Sequence, residues 1–562
     1  MPTKPQRLYY TVKLSSDLLK EYNYDLTASF NECLEAGLII SLSDSQMLKS
    51  VRDITGKKVD LDLLEEWYSE RDRLKKSKNV TKEKKSRIKE LQKNIYDMMY
   101  IPEYITVVMD NVNDYKRMFK NGFKFNGRTY RRISSSASQA RVSTVAFIDE
   151  TIKDELRKRL NCGRDMAKPM APSKVNAYFG LYGSATKQVT EPRFCVIKDY
   201  CENMDVDVDF SVETGRDDDD IIEQRTLDIE FNRFDGSGLI SPQMAEVWSR
   251  DIGEDYVPCQ FCVRYAFTKG LVNEFDFVEW CRDENDGNYI VKDIYGNDVD
   301  LREIDVILTE GQVKLWDSWK SQEDLVNNAH KNGIIWGVTK YSPKEDKEAA
   351  TMNYQYLQTL DLQGDSIQKI CEDTVKYIKG VSYDDVYYTL LFCMGQNMQA
   401  CDIEDFLQNS DNYWLKSMVL DHNILNDKYS REKIRDMVVT KIEQACLGRL
   451  IVNGNYQAIV PDSYSFMQAM CGHKVTGLLK DGEFYSKFWA DKGEDRFACA
   501  RSPMTHISEW YVARNKYKAE DESEEEDIRK IEKYFRYSYS GIITNTHGIY
   551  TMNFSGSDFD FD

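Results

Sequence analysis

Residues 554–562 read FSGSDFDFD and place Asp558, Asp560 and Asp562 at alternate positions behind a Ser-Gly-Ser segment. In an extended segment, side chains two residues apart share one face. The spacing therefore predicts that the three carboxylates converge and that the two intervening phenylalanines point away. Ionised carboxylates held this close repel one another by roughly 1 kcal/mol per pair in water and need a cation, and oxygen ligands suit Mg2+. Taken alone, the motif fits an acidic, frayed tail better than a metal site.

Length and composition bound the class of protein. The 562 residues exceed one hydrophobic core and predict roughly three or four domains. Thirteen cysteines follow no regular framework and no signal peptide opens the sequence, which predicts a reducing, cytoplasmic compartment. No apolar run approaches the roughly 20 residues of a membrane span, so no membrane partner is expected.

The formal charge of −19 argues against a protein that coats nucleic acid through a basic surface. An enzyme with a basic channel inside an acidic exterior remains compatible with this charge. Two acidic runs, at 217–220 and 520–527, contribute heavily to it and are typical of solvated loops.

The first 125 residues are mainly helical in pattern. A strand over 7–14 precedes apolar residues at helical spacing, and residues 60–99 predict a helical hairpin whose lysines are most simply solvated charge. A turn at Asn126-Gly127 then leads into a Ser-rich and a Gly-rich loop. The Gly-rich loop lacks the spacing G-x-x-x-x-G-K-[ST], which excludes a Walker-type phosphate loop.

The remaining chain alternates between strand-rich and helical blocks. In the first strand-rich block, Arg264 lies on one face of a predicted strand, and Lys269 follows at its end, where a cation can reach a ligand. Cys259 and Cys262 form a C-x-x-C pair, but no second pair stands at zinc-ribbon or zinc-finger spacing. Cys281 is isolated in the sequence, and Cys471 likewise lacks a partner. We therefore expect no zinc site.

Taken in order, the motifs resemble the eukaryotic-type RNA-dependent RNA polymerases of RNA silencing and their bacteriophage relatives. The segments that carry the resemblance are 134–141 (SSSASQAR), 178–184 (YFGLYGS), 234–241 (FDGSGLIS), 260–264 (QFCVR), 269–270 (KG), 353–360 (NYQYLQTL), 499–506 (CARSPMTH) and 557–562 (SDFDFD). They cover roughly residues 125–562.

The resemblance implies an α+β fold with two double-psi β-barrels joined by helices and a helical N-terminal region. The implied division is 1–125 (helical region), 126–195 (linker with the two loops), 196–340 (first barrel), 341–445 (helical connector) and 446–562 (second barrel, ending at the aspartate loop).

The implied activity is template-directed RNA synthesis, in which an RNA 3′ hydroxyl attacks the α-phosphate of a nucleoside triphosphate with the help of two Mg2+ ions. Mn2+ is a possible substitute. The implied partners are nucleoside triphosphates, an RNA or DNA template and the RNA product. The implied metal ligands are Asp558, Asp560 and Asp562; Arg264, Lys269 and Arg501 would face the triphosphate or transcript, and Arg141 and Lys187 the template or nascent strand.

Two departures from the family pattern bear on this interpretation. Phe561 stands where the family usually has glycine, and its Cβ disfavours a positive φ. The family also continues beyond the aspartate loop, so the chain is expected to be a fragment that contains the catalytic residues. For a phage-encoded protein, the location would be the cytoplasm of the bacterial host.

Three alternatives stay open. The first is a DNA-dependent, phage-type RNA polymerase of the same fold, because no motif distinguishes the template. The second is an inactive or truncated scaffold that binds nucleic acid, which the negative charge favours. The third is a Mg2+-dependent hydrolase or nuclease, which the first-barrel motifs disfavour.

Overall fold

The computed structural model describes residues 8–76, 81–168, 171–212, 221–381, 385–395 and 412–562. The strands are β1 (Leu8–Ser15), β2 (Asp25–Leu26), β3 (Ile39–Ser43), β4 (Tyr100–Val108), β5 (Phe123–Phe125), β6 (Arg128–Arg132), β7 (Thr144–Asp149), β8 (Lys187–Gln188), β9 (Phe194–Ile197), β10 (Cys201–Val212), β11 (Ile221–Asn232), β12 (Ser237–Ile240), β13 (Gln260–Tyr265), β14 (Thr268–Glu274), β15 (Ile290–Lys292), β16 (Asp298–Asp300), β17 (Val306–Thr309), β18 (Gly337–Tyr341), β19 (Ala349–Thr351), β20 (Ile451–Asn453), β21 (Ile459–Pro461), β22 (Glu483–Tyr485), β23 (Arg496–Ala500), β24 (Trp510–Asn515) and β25 (Ile542–Thr544).

The α-helices of the described residues are α1 (Ser16–Glu21), α2 (Phe30–Glu35), α3 (Gln46–Thr55), α4 (Leu61–Lys76), α5 (Lys82–Met99), α6 (Val112–Asn121), α7 (Ala137–Arg141), α8 (Glu150–Leu160), α9 (Pro172–Gly180), α10 (Pro242–Ile252), α11 (Phe277–Glu284), α12 (Gln322–Asn332), α13 (Tyr354–Gln358), α14 (Asp365–Lys379), α15 (Val386–Cys393), α16 (Tyr413–Leu420), α17 (Lys428–Cys446), α18 (Ser463–Met470), α19 (Lys487–Ala490), α20 (Glu525–Tyr534) and α21 (Tyr550–Asn553). None of these helices combines the length and the apolar character needed to cross a membrane.

The N-terminal region contains a seven-stranded sheet in addition to its helices. The strand order is β2-β5-β6-β7-β4-β1-β3, with β1 parallel to β4 and antiparallel to β3. The predicted helical hairpin is present as α4 and α5. The sheet adds strands that the helical reading of residues 1–125 did not contain. Short strands whose partners lie far along the chain leave only a weak local signal.

The first of two further mixed sheets is built from residues 187–341. Its seven strands are ordered β8-β18-β13-β14-β12-β17-β9, and the pairs β12/β14 and β9/β17 are parallel. Every residue of β12 and β17 is buried, as is nearly every residue of β13 and β14. These strands therefore lie inside the molecule rather than at a solvated face.

The second mixed sheet is built from residues 459–544, and helices connect the two. Its order is β21-β25-β22-β24-β23, with β21/β25 and β22/β24 parallel. Helices α13 to α17 lie between the sheets in sequence, as predicted for the connector. The predicted α+β class is confirmed, and the structure contains two mixed sheets with helices between them in sequence.

Continuous apolar clusters join the three regions. One cluster runs from Tyr9 and Ile95 in the N-terminal region to Trp248 and Trp336 around the first sheet. Another joins Phe234 in the part built around the first sheet (residues 187–341, the first half) to Phe466 in the part built around the second sheet (residues 459–562, the second half). The two sheets therefore hold each other through buried side chains as well as through the loops described below.

The predicted acidic loops have different outcomes. Residues 217–220 lie outside the described residues. The run at 520–527 is mostly exposed, as predicted, but residues from Glu525 onward form helix α20 and Glu524 is buried. Glu524 accepts hydrogen bonds from Arg514 and lies 2.5 Å from the Lys516 ammonium. The prediction was wrong for Glu524, because sequence alone did not show that two cations on β24 and just after it would neutralise this carboxylate.

Candidate active site

The three aspartates of the last loop converge. One carboxylate oxygen from each of Asp558, Asp560 and Asp562 lies within 4.8 Å of the others. The backbone is not extended as the alternating spacing predicted, because residues 559–561 form a turn and the Asp558 amide donates to Asp562 at 3.4 Å. The carboxylates therefore meet around a bend rather than along one face of a strand. Among the described residues, this is the one cluster of three acidic, His or Cys side chains placed to share an ion.

The bend depends on an unusual conformation at Phe561. This residue has φ +88°, in the region that favours glycine. A left-handed conformation costs a non-glycine residue about 1–2 kcal/mol. The neighbouring ring of Phe559 is buried, and the Ile459 amide donates to the Asp562 carbonyl at 3.0 Å. These anchors hold the loop in the geometry that the sequence led us to regard as disfavoured for phenylalanine.

The loop lies on a turn of the first half of the molecule. The Phe559 amide donates to the Asp235 carbonyl at 2.7 Å. Gly236 has φ +80°, and a Cβ there would lie 3.3–3.4 Å from atoms of Phe559 and Asp560. The Asp235-Gly236 turn is therefore shaped to receive the aspartate loop.

Two cations flank the carboxylates, one from each half. The Lys269 ammonium pairs with Asp560. An Arg501 nitrogen lies 2.7 Å from Asp562, and the same guanidinium donates to the Phe554 carbonyl at 3.1 Å. Burial by itself lowers the pKa of Lys269, but the Asp560 and Asp558 carboxylates outweigh it and raise that pKa, so the ammonium stays charged.

Burial and the neighbouring carboxylates make Asp558 a weaker acid than usual. Burial, followed by the charges of Asp560 and Asp562, raises the pKa of Asp558 to about 7, although Lys269 acts in the opposite direction. The donor set fits a hard divalent ion. In an octahedral site with bonds of about 2.1 Å, neighbouring ligands lie about 3 Å apart and opposite ligands about 4.2 Å, so a small closure brings all three oxygens to one ion.

Arg264 and Lys269 line a cavity of about 870 Å3 next to the aspartate loop. Lys314 lines it too. The Arg264 guanidinium donates to the Val263 carbonyl at 2.8 Å, and its buried Nε has no partner among the described residues. The cavity therefore carries three cations on the side of the first sheet.

Two sequence motifs that lie far apart in the chain form other walls of the same cavity. Ser135, Ala137 and Ala140 come from the Ser-rich segment, and Tyr178 and Ser184 from the Gly-rich segment. The N-terminal sheet region completes the lining with Asn111, Tyr115 and Arg132, among other residues. The fold thus brings the Ser-rich loop, the Gly-rich loop and the first-sheet cations to one space.

Two predicted nucleic-acid contacts are placed differently. Arg141 ends helix α7 with an exposed side chain, next to the cavity wall but not among its lining residues. The Lys187 ammonium donates to the Ile252 carbonyl and the Tyr341 hydroxyl, each at 2.9 Å, and pairs with Glu254. Lys187 thus ties β8 to α10 and β18 and does not join the aspartates.

Cys259 and Cys262, the C-x-x-C pair, belong to no cluster of three potential metal ligands among the described residues. Cys259 is buried, its Sγ lies 3.4 Å from the Ser342 hydroxyl, and burial raises its pKa to about 11. The thiols of Cys281 and Cys471 are neighbours, and the Cys471 thiol raises the pKa of Cys281. Their proximity brings α11 next to the end of α18, which no sequence spacing could show.

Sequence reasoning missed two residues of this region, Gln312 and Lys314. Both follow the buried strand β17, and Gln312 is fully buried. A cation and an amide directly after an apolar strand, at the end where loops carry functional groups, were the available signal. The segment was not singled out because it belongs to none of the motifs that carried the resemblance.

The chain matches a known protein family and aligns with known polymerases. The family described as RNA dependent RNA polymerase matches residues 77–515. The chain is 25% identical over 386 residues to the DNA-directed RNA polymerase YonO of Bacillus phage SPbeta, covering 66% of this chain and 42% of that protein. It also aligns with the RNA dependent RNA polymerase QDE-1 from Thielavia terrestris at a TM-score of 0.43 and 14% identity, covering 82% of this chain and 48% of the other. The alignments span less than half the length of each of these two proteins.

Proposed function

The chain belongs to the RNA dependent RNA polymerase family, and from that premise we propose that it carries the catalytic residues of a template-directed RNA polymerase. The reaction is nucleotidyl transfer from nucleoside triphosphates to an RNA 3′ end. The observation that carries the proposal is the convergence of Asp558, Asp560 and Asp562. The family match ends before these residues, so their role rests on their geometry.

Asp558, Asp560 and Asp562 would hold Mg2+, with Mn2+ acceptable to the same oxygen donors. The metal supplies charge stabilisation for the oxygens that attack and leave in phosphoryl transfer. The protein supplies rigid placement, because the loop is fixed to the first half by the Phe559–Asp235 hydrogen bond and by the fit against Gly236.

Lys269 and Arg501 would change partners during the reaction. Each now neutralises one carboxylate of the cluster. With a metal ion neutralising the aspartates, both side chains would be free to bind phosphate oxygens. Arg264 and Lys314 would extend this positive surface into the cavity, where arginine can bind phosphate with two parallel hydrogen bonds. Arg141 and Lys187 are less favourably placed for such contacts.

The template is proposed to be RNA, as the family name suggests. The alternative is a DNA template, because the phage relative is named a DNA-directed RNA polymerase. The division into domains at about residues 125, 195, 340 and 445 and a location in the bacterial host cytoplasm belong to the same proposal. A scaffold without activity is the remaining alternative, and it predicts binding of nucleic acid without incorporation.

Primer extension with Mg2+ on single-stranded RNA and on single-stranded DNA tests the proposal. Asp560→Asn is expected to lower incorporation at least about 100-fold, because a proposed ligand of the metal that stabilises the reacting phosphate is lost. Asp495→Asn is the matched control, since Asp495 pairs with Lys518 at the surface of the second half. Equal incorporation by wild type and Asp560→Asn would refute the assigned metal site. Preference for RNA or for DNA would decide which template the enzyme copies.

A further inference from the structure

Gln312 holds a buried amide directly behind the aspartate loop. Its side chain is fully buried. Its Oε1 accepts from the Thr309 amide at 3.0 Å, and its Nε2 donates to the Gly236 carbonyl at 3.0 Å and to the Leu271 carbonyl at 2.8 Å. Three of the four hydrogen-bonding positions of the amide are therefore used.

The backbone of Gln312 makes a related contact. The Lys269 amide donates to the Gln312 carbonyl at 3.0 Å, and the Leu271 amide donates to the Gly236 carbonyl at 2.8 Å. One residue thus connects the Asp235-Gly236 turn with the strand that carries Lys269. Both elements contact Asp560 or its neighbour Phe559, and so does strand β13, whose Cys262 Sγ lies 3.8 Å from the Asp560 carbonyl oxygen.

Two motif glycines make room for this amide. A Cβ at Gly270 would lie 2.2 Å from Nε2 of Gln312, and a Cβ at Gly238 would lie 2.7 Å from its Oε1. Neither glycine has a positive φ, so turn geometry does not explain them. Glycine at these positions permits the close approach of the Gln312 side chain and, at Gly238, also of the Ile307 carbonyl oxygen, from which a Cβ would lie 2.3 Å.

We infer that Gln312 is a positioning residue that sets the aspartate loop against Lys269. Its amide fixes the turn that receives Phe559, and its carbonyl fixes the lysine that neutralises Asp560. It contacts none of the three carboxylates and acts through the turn. The inference rests on the proposed function only in treating the loop as a metal site, because the docking of the loop stands on the hydrogen bonds themselves.

Local hydrogen exchange of the full chain without added metal tests the inference. Gln312→Met keeps a side chain of similar length but removes every amide hydrogen bond. We expect amide exchange in the peptide 554–562 to rise about tenfold, because loss of one partner in a buried hydrogen bond weakens the structure that it supports. The same samples are titrated with Mn2+, followed by electron paramagnetic resonance, and about tenfold weaker binding is expected for the variant.

Asn515→Leu is the matched control. Asn515 is also buried, and its amide also makes three hydrogen bonds, to Ser486 and Glu494 in the second sheet. This variant is expected to lower overall stability while exchange in 554–562 stays at the wild-type level. Equal acceleration in the two variants, or unchanged exchange in Gln312→Met, overturns the inference.

A second variant keeps the test decisive if Gln312→Met does not fold. Gln312→Asn retains an amide that is one methylene too short to reach both carbonyls, and it is expected to accelerate the same peptide. Unchanged exchange in that variant also overturns the inference. Failure of wild type to bind Mn2+ would count against the proposed metal site alone, because the exchange measurement needs no metal.

Discussion

Both β-rich halves bury neutral amides, Asn515 and Asn545 among them in the second half, but among the described residues only the second half buries a lysine. In the first half, the buried side chains near the turn that receives the aspartate loop include the amides Gln260, Asn273 and Gln312. Glu274 is buried there as well, and burial raises its pKa to about 8, so it is mostly protonated at neutral pH. The second half contains a charged network, in which Lys516 is fully buried beside Glu483 and Glu524.

The turn that receives the aspartate loop and Gln312 behind it therefore differ in buried charge from the half that carries the three carboxylates. The side-chain amide of Gln312 does not titrate, so its hydrogen bonds to the Asp235-Gly236 turn and to β14 should persist over a wide range of pH. A buried charged network depends on every member keeping its charge. We therefore expect changes in pH and single charge deletions to act first on the second half, which bears Asp558, Asp560 and Asp562.

The largest expected effect comes from Lys516→Met. The Lys516 ammonium lies 2.5 Å from Glu524 and 3.3 Å from Glu483. Its removal leaves buried carboxylates partly uncompensated and should lower the free energy of unfolding by about 3–5 kcal/mol. Chemical denaturation measures this change. Lys518→Met is the control, because Lys518 pairs with Asp495 at the surface, where solvent screens the pair, and its loss should change the stability little. Similar losses in both variants would contradict the distinction between the halves.

A smaller effect is expected from pH acting on Glu524. Hydrogen bonds from Arg514, then Lys516, hold the pKa of Glu524 well below its ordinary value of 4.5. A depressed folded-state pKa gives stability that is present above the unfolded pKa and is lost as the pH falls through and below it.

The variant Glu524→Gln isolates this contribution. At pH 7 it should be less stable than wild type by about 2–3 kcal/mol, the value of hydrogen bonds to a charged group. That gap should close as the pH falls from about 4.5 toward 3, as followed by denaturation midpoints. A gap that stays constant over this range would show that the pKa of Glu524 is not depressed.

The smallest effect concerns Phe561, where the two halves meet. Phe561→Ala and Phe561→Gly lose the same aromatic ring but differ in how they tolerate φ +88°. Glycine adopts that conformation freely, so Phe561→Gly should be about 1 kcal/mol more stable than Phe561→Ala. Denaturation of the two variants checks the sign. Greater stability of the alanine variant would mean that the loop relaxes away from this conformation.

The sequence predicted the groups of the site better than their arrangement. Alternate spacing was enough to predict that Asp558, Asp560 and Asp562 meet, since all three are close in the chain. The assumed extended backbone was wrong, because contacts with residues 235–236 and 459 fix the bend and such distant contacts leave no local pattern. Lys269 and Arg501 were singled out as cations, but their pairing with particular aspartates became visible only in the fold.

The fold class was predictable because helical and strand-rich blocks alternate over long stretches. The N-terminal sheet was less so: its first strand was predicted, but its partner β4 lies about 90 residues further along the chain, and such distant pairing leaves no local pattern. Gln312 was missed for a related reason. A glutamine reads as polar and exposed in sequence, and only the space left by Gly238 and Gly270 shows where its amide lies.

The hydrogen bond between Phe559 and Asp235 also determines when, during synthesis, the aspartate loop can dock on the turn. These residues are separated by about 320 positions, which a ribosome adding about 5–20 residues per second covers in roughly 16–65 s. Once Gln312 has been made, the turn, Lys269 and Gln312 are all present, while the carboxylates are still to come. A nascent chain therefore passes through a long period in which it contains the turn and its supporting residues but not the three aspartates that dock on them.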